Sequence, residues 1–156
     1  MRLTRHTDYA IRVLMHLGAA DRLVSISEIA SAYGISQNHL MKVVHNLGKA
    51  GYVASVRGRA GGVRLALPAS AINLGDLIRD TEESLDLVDC AHCVVAPACG
   101  FTAIVDEALS AFLAVFDRYT LADVLTQPSA LLALLRPMGF AATTLAEPQG
   151  ETGATG

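Results

Sequence analysis

The chain has 156 residues, 52% hydrophobic and 17% charged, enough for one domain with extensions and too apolar for a disordered chain. Its net charge of −3 divides into +6 over residues 1–79 and −9 over residues 80–156, the footprint of a polyanion-binding module in the front half. The sequence offers no run of about 18 apolar residues and no export signal, so a cytoplasmic protein without a membrane span is expected.

Thr4 or Thr7 can cap a first helix, whose apolar positions Ala10, Val13, Leu14 and Leu17 recur at helical spacing. Gly18 and Asp21 close it. Ser25 or Ser27 then caps a short helix through Ile29, Ala30 and Tyr33, with Glu28 in its first turn. Gly34 breaks the chain, Ser36 caps again, and a third helix is predicted over residues 37–49. Leu40, Val43, Val44 and Leu47 form its buried stripe, while Gln37, Asn38, Lys42, His45, Asn46 and Lys49 lie opposite. Two short helices joined by a Gly-containing turn, the second with a polar and basic outer face, make a helix-turn-helix. Gly51 stops the third helix. Residues 52–56 and 63–67 read as strands around Arg57-Gly58-Arg59-Ala60-Gly61-Gly62, a hairpin tip whose glycines permit positive φ and whose arginines point outward. That hairpin is a basic wing.

Asn73 caps a further short helix through Leu74, Leu77 and Ile78, and the acidic stretch from Asp80 to Asp89 leads into a cysteine-bearing loop. From Phe101 to Tyr119 the stripe Ile104, Ala108, Ala111, Phe112, Val115 and Phe116 predicts a long helix. One face of it can close over the winged helix and the rest can pair with a second subunit. Thr120 caps a short helix, and residues 129–135 add a turn or two. Beyond Glu147 the composition has nothing to bury, and disorder is expected. The fold class is thus mainly α with a small β wing.

Affinity for double-stranded DNA comes from phosphate neutralisation, and specificity from base edges. Ser36, Gln37, Asn38 and His39 stand at the start of the third helix, where they can enter a major groove. Gln and Asn pair bidentately with adenine, and Lys42 can reach guanine or phosphate. Arg57 and Arg59 on the wing suit a narrow minor groove, and Arg2 and Arg5 can add phosphate contacts. A winged helix that serves only protein partners is the alternative. No nucleophile–base pair or phosphate-binding Gly loop is recognisable, so an enzyme is not expected.

All three cysteines, Cys90, Cys93 and Cys99, fall within ten residues, spaced C-x2-C-x5-C. An odd, clustered set argues against a disulfide framework and for metal or redox chemistry. Zn²⁺ needs a fourth ligand such as His92, which is cramped between Cys90 and Cys93. An iron–sulfur cluster spreads its ligand positions over several ångströms, and a four-iron form rather than a two-iron form gives three thiolates a reason, with one iron left to a weaker ligand. A cluster, zinc (including a zinc-stabilised module that binds no DNA) and cluster-free redox thiols all stay open on spacing.

Several segments together resemble the winged-helix iron–sulfur regulators of the Rrf-two superfamily. These are residues 1–10 (MRLTRHTDYA), the recognition-helix run from Ser36 (SQNHLMKVV), and Ala50-Gly-Tyr-Val leading into the wing, Arg57-Gly-Arg-Ala-Gly-Gly-Val-Arg-Leu-Ala. Pro68-Ala-Ser-Ala-Ile, Ala96-Pro-Ala-Cys99 and Asp117-Arg-Tyr-Thr-Leu-Ala-Asp-Val are similar to its nitric-oxide-sensing repressors. The likeness covers about residues 1–135. It implies a homodimer joined through the helix at 101–119, a palindromic operator, a cluster in each subunit, and Asp8 as a fourth ligand donated across the dimer. Nitrosylation or loss of the cluster would release the operator; an iron- or cluster-status regulator is the neighbouring reading. Asp8 can instead be a helix-N-terminal acid or pair with Arg5 or Arg12. Two departures matter: the Cys90–Cys93 interval is short for the nitric-oxide branch, so that Cys93 and Cys99 would need other ligands if Cys90 cannot reach. The iron-status branch places a histidine where Thr102 stands. The implied organisation is a winged helix-turn-helix over 1–79, a cluster loop over 80–100, a dimerisation helix with C-terminal helices over 101–140, and a disordered tail over 141–156.

Overall fold

The computed structural model describes residues 2–135, so the expected disordered tail lies outside the described residues. Helix α1 (Arg5–Ala20) starts at Thr4, whose side chain accepts from the Thr7 amide, and ends at Asp21 in the left-handed region (φ 47°, ψ 38°). A short polar side chain tolerates that conformation better than most. Helix α2 (Ile26–Tyr33) is capped by Ser25 and closed by Gly34 at φ 62°. Helix α3 (Gln37–Lys49) begins after Ser36, whose side chain makes no capping bond. The predicted stripes of α1 and α3 are the core: Ala10, Val13, Leu14, Leu17, Leu40, Val43, Val44 and Leu47 are all buried. Thr7 and His16 of α1 are buried with them.

Strands β1 (Val53–Val56) and β2 (Gly62–Leu65) pair antiparallel, Val53 opposite Leu65 and Val56 opposite Gly62. A third segment joins at the base, where Val24 and Val63 exchange both backbone hydrogen bonds (2.9 and 2.8 Å). That close approach dictates Gly62, since a Cβ there would stand 2.7 Å from the Val24 carbonyl oxygen. Only Gly58 of the three wing glycines has positive φ, at 116°. The expectation of several positive-φ glycines is therefore corrected: Gly62 is needed for space rather than for torsion.

Helix α4 (Leu74–Thr81) is capped by Asn73, whose Oδ1 accepts from the amides of Gly75 and Asp76. Helix α5 (Phe101–Phe116) stops three residues before the predicted end, because residues 117–120 turn to meet α4. There the Leu74 amide donates to the Tyr119 carbonyl and the Leu121 amide to that of Ile72. Helices α6 (Leu121–Val124) and α7 (Pro128–Leu135) follow, with Leu121 fully buried and α7 lying against α1.

The predicted stripe of α5 is corrected. No residue of α5 is buried. Val105, Leu109, Phe112 and Phe116 are the half-buried side, whereas Ile104, Ala108, Ala111 and Val115 face outward. Both sides are apolar, so the helix presents an uncovered apolar face. No helix among the described residues is long and apolar enough to cross a membrane.

Candidate functional site

The outer surface of α3 and the wing carry the side chains expected at DNA. Ser36, Gln37, Asn38, His39 and Lys42 are exposed around the first turns of α3, and Arg57 and Arg59 at the wing tip. The buried stripe on the opposite side of α3 fixes their direction. Three other arginines are committed to carboxylates: Arg12 to Asp8, Arg22 to Glu28 and Arg79 to Asp117. Among the described residues, Lys42, Arg57 and Arg59 have no ion-pair partner, so their charge is available to phosphate. Asn46, expected on this polar face, instead sits 3.5 Å from the His6 ring of α1. The fold adds two exposed side chains to these elements, Met41 on α3 and Arg64 on β2. Arg64 was legible from strand alternation with buried Val63; Met41 reads as apolar core until the helix phase is fixed.

Two contacts hold the module. The Tyr52 hydroxyl donates to Asp80 Oδ2 at 2.7 Å, joining the end of α3 and β1 to α4, and burial with the neighbouring carboxylate raises the Tyr52 pKa. His16 is buried between α1 and α2 with neither ring nitrogen hydrogen-bonded; its Nε2 lies 3.7 Å from Glu28 and its ring edge meets Tyr33. Burial pulls the His16 pKa down and Glu28 opposes it. A histidine at a core position of an amphipathic stripe gave no signal in the sequence.

The cysteine segment runs between α4 and α5 as a series of tight turns. The Cys93 amide donates to the Cys90 carbonyl, that of Ala96 to Cys93, and that of Cys99 to Ala96. All three thiols are free; Cys90 and Cys99 are half-buried and Cys93 is exposed. Thr102, at the start of α5, donates its hydroxyl to Cys90 Sγ at 3.8 Å, beside a pocket of about 110 Å³ also lined by Val105 and Leu109. His92 turns to Asp89 (Nδ1 to Oδ1, 2.8 Å) rather than toward the thiols. Among the described residues no three His, Cys, Asp or Glu side chains stand together as for a single metal ion. Asp8 lies in the first turn of α1, half exposed, with the Arg12 Nε 3.1 Å from both carboxylate oxygens. The structure thus places the residues expected at DNA on α3 and the wing and the cysteines on one loop, while Asp8 is paired with Arg12.

The Rrf2 family, described as an iron-dependent transcriptional regulator, matches residues 3–127. The HTH-type transcriptional regulator NsrR of Bacillus licheniformis is 46% identical over 142 residues, covering 86% of this chain and 99% of that protein. The NsrR of Geobacillus kaustophilus is 48% identical over 143 residues, covering 87% and 97%. Among solved structures, T. potens IscR superposes with a TM-score of 0.66 at 29% identity, covering 80% of this chain and 86% of that one. The oxidized form of Staphylococcus aureus CymR gives 0.66 at 25%, covering 81% and 98%. With its winged helix, its unpaired basic surface and these relatives, the chain belongs to the Rrf2 family of transcriptional regulators, in its NsrR-like branch.

Proposed function

We propose that the protein is a DNA-binding repressor whose hold on a palindromic operator is set by an iron–sulfur cluster, with nitric oxide as the signal. Cys90, Cys93 and Cys99 hold the cluster, and Asp8 of the partner subunit supplies the fourth ligand. The observation that carries the reading is three free thiols on one loop placed between a winged helix and a helix with an uncovered apolar face. The donor set fits by its chemistry: thiolates are soft ligands for iron–sulfur groups, and three of them with one carboxylate suit the four-iron form. When bound, the cluster supplies an iron open to nitric oxide.

The rest is work for the chain's own residues. The turns at Cys90–Cys93 and Ala96–Cys99 fold the short cysteine segment back on itself, with Cys90 and Cys99 half-buried and Cys90 against Thr102 of α5. Asp8 must leave Arg12 to act, and an exposed pair of this kind costs little to break. The outward side of α5, with Ile104 and Val115 exposed, supports pairing with a second copy, which places two recognition helices for two half-sites. In this arrangement residues 1–79 read the DNA, residues 80–100 hold the cluster and the helices from 101 onward join the subunits.

A second reading, response to iron or cluster supply, is favoured by the family's iron-dependent description and the likeness to IscR. Thr102, whose hydroxyl is occupied by Cys90, stands against it at the place where the IscR type has a histidine. Protein purified without oxygen is expected to be brown, to contain iron and sulfide, and to lose operator binding on addition of nitric oxide. Titration against an iron chelator separates the two readings. A colourless, iron-free protein that binds its operator at full strength would overturn both.

A further inference from the structure

The start of α1 is not capped by its own sequence alone. Thr4 accepts from the Thr7 amide at 3.3 Å, but a reciprocal capping box needs Glu or Gln at the position that Thr7 occupies. The missing carboxylate comes from 78 residues away. Glu82 Oε1 accepts from the Thr4 backbone amide at 2.8 Å and from the Thr4 hydroxyl at 3.2 Å. A negative charge there also suits the positive end of a 16-residue helix. Glu82 is the residue that closes α4, its amide donating to the Ile78 carbonyl at 2.9 Å, and the cysteine loop begins directly after it. The contact is not isolated. Arg2 and Leu3 line a small pocket of about 90 Å³ together with Leu85 and Leu87 of the loop and Leu109 of α5. One turn beyond Thr4 is Asp8, whose amide donates to the Thr4 carbonyl at 3.0 Å.

We propose that Glu82 is a positioning residue that ties the cysteine loop of each chain to the first turn of its own α1, and so couples the two cluster sites of a dimer. The inference rests on the reading given under Proposed function, in which Asp8 serves the partner subunit's site. Under that reading the thiols of one site and the carboxylate ligand of the other are held by one chain. Glu82 stands between them. When one loop loses its cluster and loosens, the hold on Thr4 weakens, the first turn of α1 frays, and Asp8 withdraws from the second site. Loss of the first cluster thereby hastens loss of the second.

Two measurements on the full-length dimer test this, with Glu82→Ala removing the acceptor and Glu82→Gln keeping it without the charge. In the iron-free protein, amide exchange at Thr4, Thr7 and Asp8 is expected to quicken about fivefold in Glu82→Ala, less in Glu82→Gln, with the α3 amides unchanged. In the loaded protein under chelator, native mass spectrometry counts dimers with two, one and no clusters. Independent loss leaves about half of the dimers singly loaded at the midpoint. Wild-type protein is expected to show few such dimers, and Glu82→Ala to approach one half. Unchanged exchange in Glu82→Ala, or wild-type dimers already near one half, overturns the coupling while leaving the cluster reading intact. A wild-type spectrum with no iron at all overturns the cluster reading, and the coupling with it.

Discussion

At the scale of single residues, ion pairing distinguishes the arginines committed to carboxylates from the cations proposed to meet phosphate. Arg12, Arg22 and Arg79 each lie within 3.3 Å of a carboxylate, whereas Lys42, Arg57 and Arg59 have none among the described residues. Arg57→Ala and Arg59→Ala are therefore expected to weaken binding to all duplexes alike, each lowering the slope of log K against log salt by about 0.9. Gln37→Ala and Asn38→Ala should behave differently, costing about 1–3 kcal/mol on the preferred sequence and little on random duplex. Fluorescence anisotropy with both duplexes over a salt series checks the two patterns; a uniform loss from Gln37→Ala would move that residue to the backbone-contact class. His16 carries a different prediction. Its pKa in the fold is lowered by burial, below an unfolded value of about 6.5. The unfolded chain thus binds the proton more readily, and stability falls as pH drops through about 6.5 toward the folded pKa. His16→Leu removes that contribution, so its thermal midpoint is expected to fall less between pH 7 and 5 than that of the wild type. Parallel curves for the two proteins would show that Glu28, 3.7 Å away, offsets the burial.

At the scale of elements, the fold turns on how α5 is fastened to the winged helix. Arg79 makes paired bonds of 2.7 and 2.8 Å to Asp117, holding the Asp117 carboxyl below its usual range, and Asn73 donates to the Asp117 carbonyl at 2.8 Å. Asp117 approaches so closely over the start of α4 that a Cβ on Gly75 would overlap its Oδ1. Gly75→Ala is accordingly expected to cost about 1–3 kcal/mol through overpacking, measured as a lower urea midpoint. If Asp117 simply swings away, the midpoint of Gly75→Ala matches that of the wild type and the fastening has no structural weight. This junction was only half legible in the sequence. Asn73 as a cap and Thr120 as a second cap follow from local chemistry, but the bridge between them is a long-range pairing that no local pattern encodes. The same division holds elsewhere. The stripes of α1 and α3 were readable because each helix is apolar on one side only. Helix α5 is apolar on both, so periodicity could place the helix but not choose its inner face. The Val24–Val63 bridge and the Glu82–Thr4 contact join segments far apart in sequence and left no trace. For the candidate site, exposed residues on α3 and the wing followed from helix phase and turn chemistry, whereas the approach of Thr102 to Cys90 depends on where α5 begins.

At the scale of the whole molecule, the proposed division is between a half that meets DNA and a half that the apolar face of α5 leaves unfinished. Phe101, Ile104 and Val115 are 55%, 61% and 45% exposed, on a helix that contributes no buried residue to its own chain. An exposed apolar surface of this kind is costly in water; in the proposed dimer a second copy covers it, and the dimer's symmetry matches a palindromic operator. Introducing a charge into that face separates the two roles of the helix. Ile104→Asp should leave the winged helix folded, because Ile104 touches none of the buried core. It should also abolish pairing, because an unpaired carboxylate at the centre of an apolar contact costs several kcal/mol. Sedimentation is expected to show the mass of one chain instead of two. Binding to a duplex with one half-site should then be unchanged, while binding to the full palindrome falls to the half-site level, since the gain from linking two weak contacts is lost. Under the proposed ligand set Asp8 would then no longer reach a partner, so the same variant is also expected to lose its cluster faster in chelator than the wild type. A variant that stays dimeric would overturn the assignment of the subunit contact to this face of α5, and with it the proposed route by which two recognition helices are set for two half-sites.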